Sequence, residues 1–373
     1  MKPEIVIVHF GDIGKYPPAF NLVRYFANAG YFGKIVVCSR TDFNETLNKV
    51  IWCNTVNREK NNRIIRLLSY LLFYSKTFWC LLFQQPQQIL YYETLSFPPV
   101  YWYKKIRRLF NKTTLIYCHY HEYTTSEEYN RGMKLAILAH GWENKSYSNF
   151  CWISHTNSDR AAFFLKDHPK VNPLKLHVLP NYPPLSWKEI VKSRDENAGD
   201  YPLKIIYVGS LDLESMYTRE FAQWVILQKG KVHWDIYSGQ LHENTRRYLK
   251  DLQSSYINFK GSIFYNNLPS ILINYDVGVI LYKGVIPNYV YNAPNKLFEY
   301  SVCGLDVWFP KEMSGSIQYK TSDTYPKVID LNFQSLDLLD ISTLIDREKL
   351  QRKEHNYYLE DVLPELLNAI VEG

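Results

Sequence analysis

The sequence alternates short apolar segments with helical segments, and this alternation constrains the fold more than any other feature. In the first half, each apolar segment has the length of a buried strand and is bounded by turn residues or by a helical pattern. The predicted strands are Glu4–His9, Lys34–Cys38, Gln88–Tyr92, Thr114–Cys118, Cys151–Ser154 and Leu176–Leu179. Such alternation produces right-handed crossovers and a parallel sheet with helices on both faces. We therefore expect a doubly wound α/β domain over residues 1–181.

The alternation lapses over residues 182–202 and then begins again. The lapse contains three prolines and a polar, charged run, which predicts an interdomain linker. The second group of predicted strands is Leu203–Val208, His233–Tyr237, Ile257–Phe259, Val277–Leu281 and Val307–Phe309. We expect a second α/β domain at 203–346 and a helix from about Arg347 to Val371, within 347–373, that returns to the first domain. Two such domains would enclose a cleft that suits a small molecule.

Charge is distributed unevenly along the chain. Residues 1–181 contain 23 Lys and Arg against 12 Asp and Glu, whereas residues 182–373 contain 20 against 25. Most of the positive excess lies within 58–112, which has ten basic and two acidic residues among many aromatic ones. Its apolar stretch Leu67–Phe83 has Lys76 at the centre, and a central lysine disfavours a membrane span. We predict that 58–112 attaches peripherally to an anionic membrane surface. The alternative is a buried helix with a solvated basic face.

The N-terminus and the cysteines indicate the compartment. The first residues, MKPEIVIVHFGD, lack the long apolar core and the small-residue cleavage site of a signal peptide. The six cysteines show no metal-binding spacing and are interpreted as free thiols in a reducing cytoplasm. We therefore expect a cytoplasmic protein that is peripheral on the inner face of the cell membrane.

The segment Asn292–Gly304, NAPNKLFEYSVCG, has the clearest functional pattern in the sequence. Pro294 suits the first turn of a helix, and Asn292 or Ala293 falls at its cap. The glycine at the end of the segment predicts the end of that helix.

Two charged residues share one face of this predicted helix. Lys296 lies in the first turn, where free N–H groups and the helix dipole favour an anion such as a diphosphate. Glu299 lies one turn further on and can accept hydrogen bonds from a ribose diol. The alternative is a surface ion pair, which contributes little to stability.

The stretch PNKLFEYSVCGLDVWFP resembles the donor-binding segment of GT-B glycosyltransferases, especially the bacterial enzymes grouped around glycosyltransferase family 4. In those enzymes a Pro-x-Lys-x-x-Glu run precedes a small-residue Gly-x-x-Val turn. The preceding segments YVGSL, DIYSG, INFKGSI and NYDVGVILYKG occur in a similar order, so the resemblance covers roughly residues 203–310. The first half is similar only in outline. The resemblance implies two Rossmann-like domains that face each other across a cleft, the second of which binds a nucleoside-diphosphate sugar.

The resemblance also implies a set of donor-binding residues. Glu299 would bind the donor ribose, Lys296 and Arg219 would bind the diphosphate, and Gly209 would allow the backbone to approach the phosphates. The remaining implied residues, on the same wall of the cleft, are Tyr282 and Asn295. Retaining members often carry a second acid eight positions before the ribose glutamate, where this chain has Tyr291. This departure leaves the stereochemistry open and favours inversion.

Groups that act on the acceptor are predicted in the first half. The sequence CHYHEY places His119, His121 and Glu122 at the carboxyl end of a predicted strand. An inverting transfer needs a base that takes the acceptor proton, and a cleft carboxylate or a histidine can do so. Asp12, in the loop FGDIG, is a rival base. The alternatives are a loop-capping histidine, a surface charge and a turn former, and in a retaining enzyme the histidine would steady the donor sugar, as in similar retaining enzymes.

The motifs that are absent narrow the function. No Asp-x-Asp occurs, so we expect no metal and no cofactor, with Lys296, Arg219 and a helix dipole offsetting the diphosphate charge. The lack of a P-loop, of G-x-G-x-x-G and of any nucleic-acid-binding motif disfavours kinases, dehydrogenases and nucleic-acid partners. We predict a glycosyltransferase that moves a sugar to a glycan or lipid-linked acceptor in bacterial cell-surface polysaccharide synthesis. The alternatives are a nucleotide-sugar epimerase of the same fold and a non-catalytic nucleotide-sugar or glycan-binding protein.

Overall fold

The computed structural model describes residues 2–55, 63–191, 202–239, 241–345 and 350–372. The chain divides into two compact units. The first contains Met1–Asn181 and Leu359–Gly373, and the second contains Tyr182–Tyr358.

The first unit is built on a parallel sheet of seven strands. These strands are β1 (Glu4–His9), β2 (Lys34–Ser39), β3 (Val50–Asn54), β4 (Gln88–Tyr92), β5 (Leu115–Tyr120), β6 (Trp152–His155) and β7 (Leu176–Val178). Their order in the sheet is β3-β2-β1-β4-β5-β6-β7. Side chains of β1 alternate between the two faces, with Ile5 and Ile7 in one apolar cluster and Val6 and Val8 in another. Both faces are therefore buried, which explains why the strand is apolar throughout.

Helices cover both faces of this sheet. They are α1 (Pro17–Ala29), α2 (Arg63–Gln84), α3 (Phe97–Leu109), α4 (Ser126–Arg131), α5 (Lys134–Asn144), α6 (Ser158–Asp167) and a C-terminal helix (Leu359–Glu372). Helix α1 ends at Gly30, which adopts the left-handed conformation with φ of 71°. The C-terminal helix belongs to the first unit, and its buried leucines join the same apolar cluster as α1.

The second unit is a second parallel sheet with its own helices. Its strands are β8 (Leu203–Val208), β9 (Val232–Tyr237), β10 (Ile257–Gly261), β11 (Val277–Val279), β12 (Asp306–Pro310), β13 (Thr324–Tyr325), β14 (Val328–Leu331) and β15 (Gln351–Arg352). Six of them form one sheet in the order β10-β9-β8-β11-β12-β14, and β13 pairs with β15. The helices are α7 (Trp187–Val191), α8 (Thr218–Leu227), α9 (Glu243–Asp251), α10 (Leu268–Leu272), α11 (Pro287–Val290), α12 (Asn295–Val302), α13 (Ser314–Ile317) and α14 (Ile341–Ile345).

The predicted fold class is confirmed, while several element boundaries differ from the prediction. The sequence pattern predicts one helix around Arg131–Phe150, whereas in the structure α4 ends at Arg131 and α5 follows after the extended Gly132. The final helix begins at Leu359 rather than near Arg347, since Gln351–Arg352 instead pairs as a strand. Of the predicted linker, Tyr182–Val191 belongs to the second unit, and residues 192–201 lie outside the described residues.

Helix α2 is long and apolar enough to cross a membrane by length and composition. Within Ile64–Gln84, the most apolar stretch of 18 residues has a mean hydropathy of 1.2, and only 22% of that stretch is buried. One face nevertheless packs on the sheet, where Phe73 and Leu81 are fully buried. Lys76 also hydrogen-bonds to the carbonyl of Asn54 on β3. These contacts attach α2 lengthwise to the first unit.

Candidate functional site

The ammonium group of Lys296 lies between two tyrosine side chains in the second unit. The residue is the second of α12, and Pro294, in an extended conformation, caps the helix instead of the predicted Asn292 or Ala293. Lys296 Nζ donates to the hydroxyl of Tyr282 at 2.9 Å and lies 4.9 Å from the ring centroids of Tyr207 and Tyr282. Hydrogen bonding and the two ring faces therefore fix this cation in place.

Lys296 remains charged in this position. Burial acts to lower its pKa, but the oxygens of Tyr207 and Tyr282 outweigh burial, and the pKa is raised. The site therefore presents a permanent positive charge in the first turn of a helix, where free backbone N–H groups also favour an anion.

Gly209 lies directly beside this ammonium group. It follows β8 with φ of 131°, a conformation that L side chains rarely adopt. A Cβ atom at this position would lie 2.9 Å from Cε and 3.0 Å from Nζ of Lys296. The missing side chain thus allows the charged group to lie directly against the backbone at the end of β8.

Glu299 is buried one turn further along α12. Its side chain is 5% exposed, and burial raises its pKa to about 7, while Lys296 and a hydrogen bond from Tyr265 act in the opposite direction. Near neutral pH this carboxyl group can therefore take either protonation state. As a carboxylate it is a strong acceptor for ligand hydroxyl groups.

Two other predicted residues adjoin Lys296. The ring of Tyr282 stacks on Tyr289 with centroids 5.0 Å apart, which fixes the hydroxyl that accepts from the lysine. Asn295 is the first residue of α12, and its Oδ1 atom is buried without a hydrogen-bond partner in the described part of the chain. Buried acceptors normally have partners. An unpaired acceptor beside a fixed cation suits a polar ligand.

Arg219 occupies a different environment. It is exposed in the first turn of α8, and its guanidinium group lies 4.7 Å from the ring centroid of Tyr248 on α9. Arg219 therefore contacts α9. The other predicted donor-binding side chains lie around the start of α12, namely those of Lys296, Tyr282 and Glu299, together with the backbone of Gly209. A role for Arg219 in phosphate binding stays a prediction.

In the first unit, the two predicted histidines are held neutral by burial. His119 Nδ1 pairs with Ser154 Oγ at 3.0 Å, and His121 Nδ1 pairs with the Asn181 amide at 2.5 Å. Burial lowers the pKa of each histidine to about 3. His119 also lines a small cavity next to Tyr92, with room for about one water molecule. Neutral imidazoles of this kind orient neighbouring groups and are weak bases.

The two predicted carboxylates, Asp12 and Glu122, differ in their hydrogen bonding and in their exposure. Asp12 caps a 3₁₀ turn, and its Oδ1 accepts from Gly14 N at 3.1 Å and from Thr41 Oγ1 at 2.5 Å. These bonds are those of a turn-forming residue. Glu122 is exposed at the end of β5, and its charge acts on its neighbour Glu93.

Glu93 is the titratable residue at this edge that sequence reasoning missed. It follows β4 directly and has φ of 62° and ψ of 150°, a conformation that is costly for a residue with a Cβ atom. Its Oε1 accepts from the backbone N–H of His121 at 2.7 Å. Burial, followed by the nearby Glu122 carboxylate, raises its pKa to about 8. Strained backbone and a perturbed pKa occur together at functional sites.

A buried network holds the segment that follows Glu93. Thr94 donates to Glu143 Oε2 at 2.7 Å, and Tyr91 and Tyr120 donate to Glu143 Oε1 at 2.6 Å and 2.5 Å. Glu143 itself is fully buried, and burial raises its pKa. Thr94 is the next residue after Glu93, so its anchoring also restrains the backbone of Glu93.

Comparison with solved structures identifies the architecture. Sucrose-phosphate synthase from Thermosynechococcus elongatus superimposes with a TM-score of 0.68 at 14% identity, covering 99% of this chain and 98% of that one. Anabaena HepE in complex with UDP-glucose gives a TM-score of 0.64 at 9% identity, with 100% of both chains covered. The lipopolysaccharide outer core galactosyltransferase WaaB gives 0.63 at 13% identity, with 99% of both covered.

The chain has the GT-B fold. No protein-family model matches the sequence, and no curated protein matches it. A putative UDP-N-acetylglucosamine 2-epimerase from Listeria monocytogenes shares the fold at a TM-score of 0.57 and 10% identity, covering 100% of this chain and 98% of that one. The fold therefore accommodates more than one reaction of nucleotide sugars, and the chemistry has to be argued from the residues.

Proposed function

We propose that this protein is a glycosyltransferase that moves a sugar from a nucleoside-diphosphate sugar to a glycan or lipid-linked acceptor in bacterial cell-surface polysaccharide synthesis. The arrangement around α12 carries the proposal. Lys296 is fixed and charged beside the backbone of Gly209, and Glu299 is buried one turn away. This spacing matches a diphosphate followed by a ribose diol. The similarity to HepE, whose structure holds UDP-glucose, and to WaaB supports it.

In this proposal the positive charges come from the chain itself. As the bond between the sugar and the diphosphate breaks, negative charge grows on the departing phosphate oxygen. Lys296 and the N–H groups of α12 stabilise that charge without rearrangement, because they are already held in place. We propose that the transfer proceeds in this way without a metal ion.

We propose that Glu93 is the base that takes the acceptor proton. Its carboxylate is held by the His121 N–H, and its pKa of about 8 makes it a stronger base than an ordinary glutamate. The buried neutral histidines and the engaged Asp12 are poorer candidates. Glu122 contributes the like charge that keeps this pKa high.

The pH profile tests the role of Glu93. A base with a pKa near 8 predicts that the transfer rate at saturating donor rises from pH 6 and levels off above about pH 8. Glu93→Gln should lower kcat by roughly 10²–10⁴-fold and remove this rise. Glu122→Gln should shift the rise to lower pH, because the neighbouring negative charge is gone. An unchanged rate for Glu93→Gln, measured in steady-state assays, contradicts the assignment.

We propose that the protein attaches to an anionic membrane through a surface formed by α2 and the end of α3, named here the α2–α3 surface. These two helices pack together. Their exposed apolar side chains are Ile64, Leu67, Leu68, Leu71, Leu72, Trp79, Phe83, Trp102, Leu109 and Phe110. Lys105, Arg108 and Lys112 are exposed at the same end of α3. Apolar and aromatic groups beside exposed cations suit the headgroup region of an anionic bilayer.

Flotation with liposomes tests this surface. Each basic residue near an anionic leaflet contributes about 1 kcal/mol, so the double variant Lys105→Gln/Arg108→Gln should bind roughly 30-fold more weakly. Arg107 is left intact, since it is buried and donates to the carbonyl of Thr113 at 2.8 Å. The control is Lys166→Gln/Lys170→Gln, which removes two exposed charges from the same unit. Equal flotation of the two double variants would show that the α2–α3 surface does not bind the membrane.

A donor-and-acceptor panel tests the transfer itself. Nucleoside-diphosphate sugars are incubated with the protein, with and without lipid-linked glycan acceptors, and the products are identified by mass spectrometry. The proposal predicts an acceptor-dependent product together with release of nucleoside diphosphate. Turnover that needs no acceptor would indicate an epimerase, and donor binding with no turnover for any acceptor would indicate a binding protein.

A further inference from the structure

Three cysteines that are far apart in the sequence meet on one face of the first sheet. Cys38 on β2 and Cys53 on β3 are direct register partners, and Cys80 comes from α2, which covers them. Their Sγ atoms all lie within 4.8 Å of one another. Cys38 is buried, whereas Cys53 and Cys80 are partly exposed. Solvent therefore reaches the cluster from the edge of the sheet.

The surroundings of the cluster favour a thiolate at one position, Cys53. The pKa of Cys53 is lowered, because the Cys38 and Cys80 thiols hydrogen-bond to its sulfur and because Lys76 lies nearby. The pKa values of the other two thiols are raised. Hydrogen bonds with the neighbouring sulfurs and burial raise that of Cys38, and for Cys80 the Cys53 sulfur and burial outweigh the lowering by Cys38 and Lys34. Lys76 is held in place by the carbonyl of Asn54, so its charge stays at this edge. Thiolates are the form in which cysteine binds metals.

We propose that Cys38, Cys53 and Cys80 form a site for a thiophilic divalent metal ion of the Zn²⁺ class, separate from the transfer chemistry. A tetrahedral zinc with Zn–S bonds near 2.3 Å needs sulfurs about 3.8 Å apart, so the cluster has to contract by at most roughly 1 Å. Three thiolates around a divalent ion leave one net negative charge, which Lys76 and Lys34 are placed to balance. The fourth coordination position faces solvent and is suited to water.

Such a site would link one helix to two strands of the sheet. Strand β3 is at the edge of the sheet, and most of α2 is exposed. A metal ion bound to one cysteine from each of β2, β3 and α2 would tie the helix to the sheet edge. Binding would exchange thiol protons for the metal, so up to three protons would be released to solvent for each ion bound.

Metal titration of the reduced full-length protein tests the site. Cd²⁺ should give an ultraviolet sulfur-to-metal charge-transfer band that saturates at one equivalent per chain, and Zn²⁺ should raise the Tm. Cys53→Ser and Cys80→Ser should each lose the band and the Tm increase. Cys151→Ser, a partly exposed cysteine of the same unit, is the matched control and should keep both.

A second measurement does not depend on how well the variants fold. The unsubstituted protein is purified without chelators, and its metal content is measured by elemental analysis. About one zinc per chain, or uptake of one equivalent on titration, supports the site. A band that persists in the Cys53→Ser/Cys80→Ser double variant contradicts it. Recovery of two of these thiols as a disulfide, with no metal bound under reducing titration, contradicts it as well.

Discussion

Glu299→Gln is expected to weaken binding of the nucleoside diphosphate by about 10–100-fold, because the ribose hydroxyls lose a charged acceptor. The carboxylate is the binding form, and the pKa of Glu299 is about 7. Affinity in the unsubstituted protein should therefore fall as the pH is lowered from 8 to 6. The glutamine variant should lose this pH dependence. Isothermal titration calorimetry at pH 6, 7 and 8 measures both effects.

The stability of the unliganded variant distinguishes loss of binding from loss of folding. A buried carboxyl whose pKa is raised on folding destabilises the protein increasingly as the pH rises from its unfolded value to about 7, and by a constant amount above that. Glu299→Gln removes this cost, so the unliganded variant should be more stable than the unsubstituted protein at pH 8, by on the order of 3 kcal/mol. Asp251→Asn, an exposed acid in the same unit, should change neither affinity nor stability. Undiminished affinity of Glu299→Gln would remove this residue from the site.

Lys296→Met is expected to weaken binding of the nucleoside diphosphate by roughly 10–150-fold. The diphosphate loses a fixed cation, and a hydrogen bond to a charged group contributes about 1.5–3 kcal/mol. Binding of the corresponding nucleoside, which has no phosphate, should be almost unaffected. Glu299→Gln, in contrast, should weaken both ligands. Titration of both ligands against both variants therefore assigns the diphosphate to one residue and the ribose to the other.

The control for this variant is Lys204→Met. Lys204 is an exposed lysine near the amino end of β8, whereas Gly209 and Lys296 adjoin its carboxyl end. The control variant removes the same charge from the same unit and should bind both ligands normally. An equal loss in the two lysine variants would indicate a general charge effect and would contradict a specific phosphate site at Lys296.

The sheets could be predicted because buried parallel strands are apolar along their whole length. Glu4–His9, Gln88–Tyr92 and Leu203–Val208 are strands with the predicted bounds. Strands β3 and β14 were missed, since they lie at sheet edges where burial is incomplete and the apolar pattern is interrupted. Helix α12 was predicted from its proline and its charged face, but the exact cap depends on backbone angles that the sequence does not specify.

Functional residues could be predicted as neighbours only where they are close together in the sequence. Lys296 and Glu299 share a helix face, so their proximity follows from helix geometry. Glu93 could have been found from the sequence, because it directly follows a predicted strand, as His119 does. Its positive φ, in contrast, has no sequence signature. The cluster of Cys38, Cys53 and Cys80 depends on strand register and on the docking of α2, which residue spacing does not reveal.

In the proposed function, α12 and the backbone at Gly209 bind a nucleoside-diphosphate sugar. The most direct measurement is a thermal-shift panel of such donors against the unsubstituted protein and the Lys296→Met/Glu299→Gln double variant. A donor present at 100 times its Kd stabilises the folded state by about 2.7 kcal/mol. We expect at least one donor to raise the Tm of the unsubstituted protein and to leave that of the double variant unchanged. A panel in which no donor raises the Tm, or in which the double variant responds equally, would contradict the proposed function.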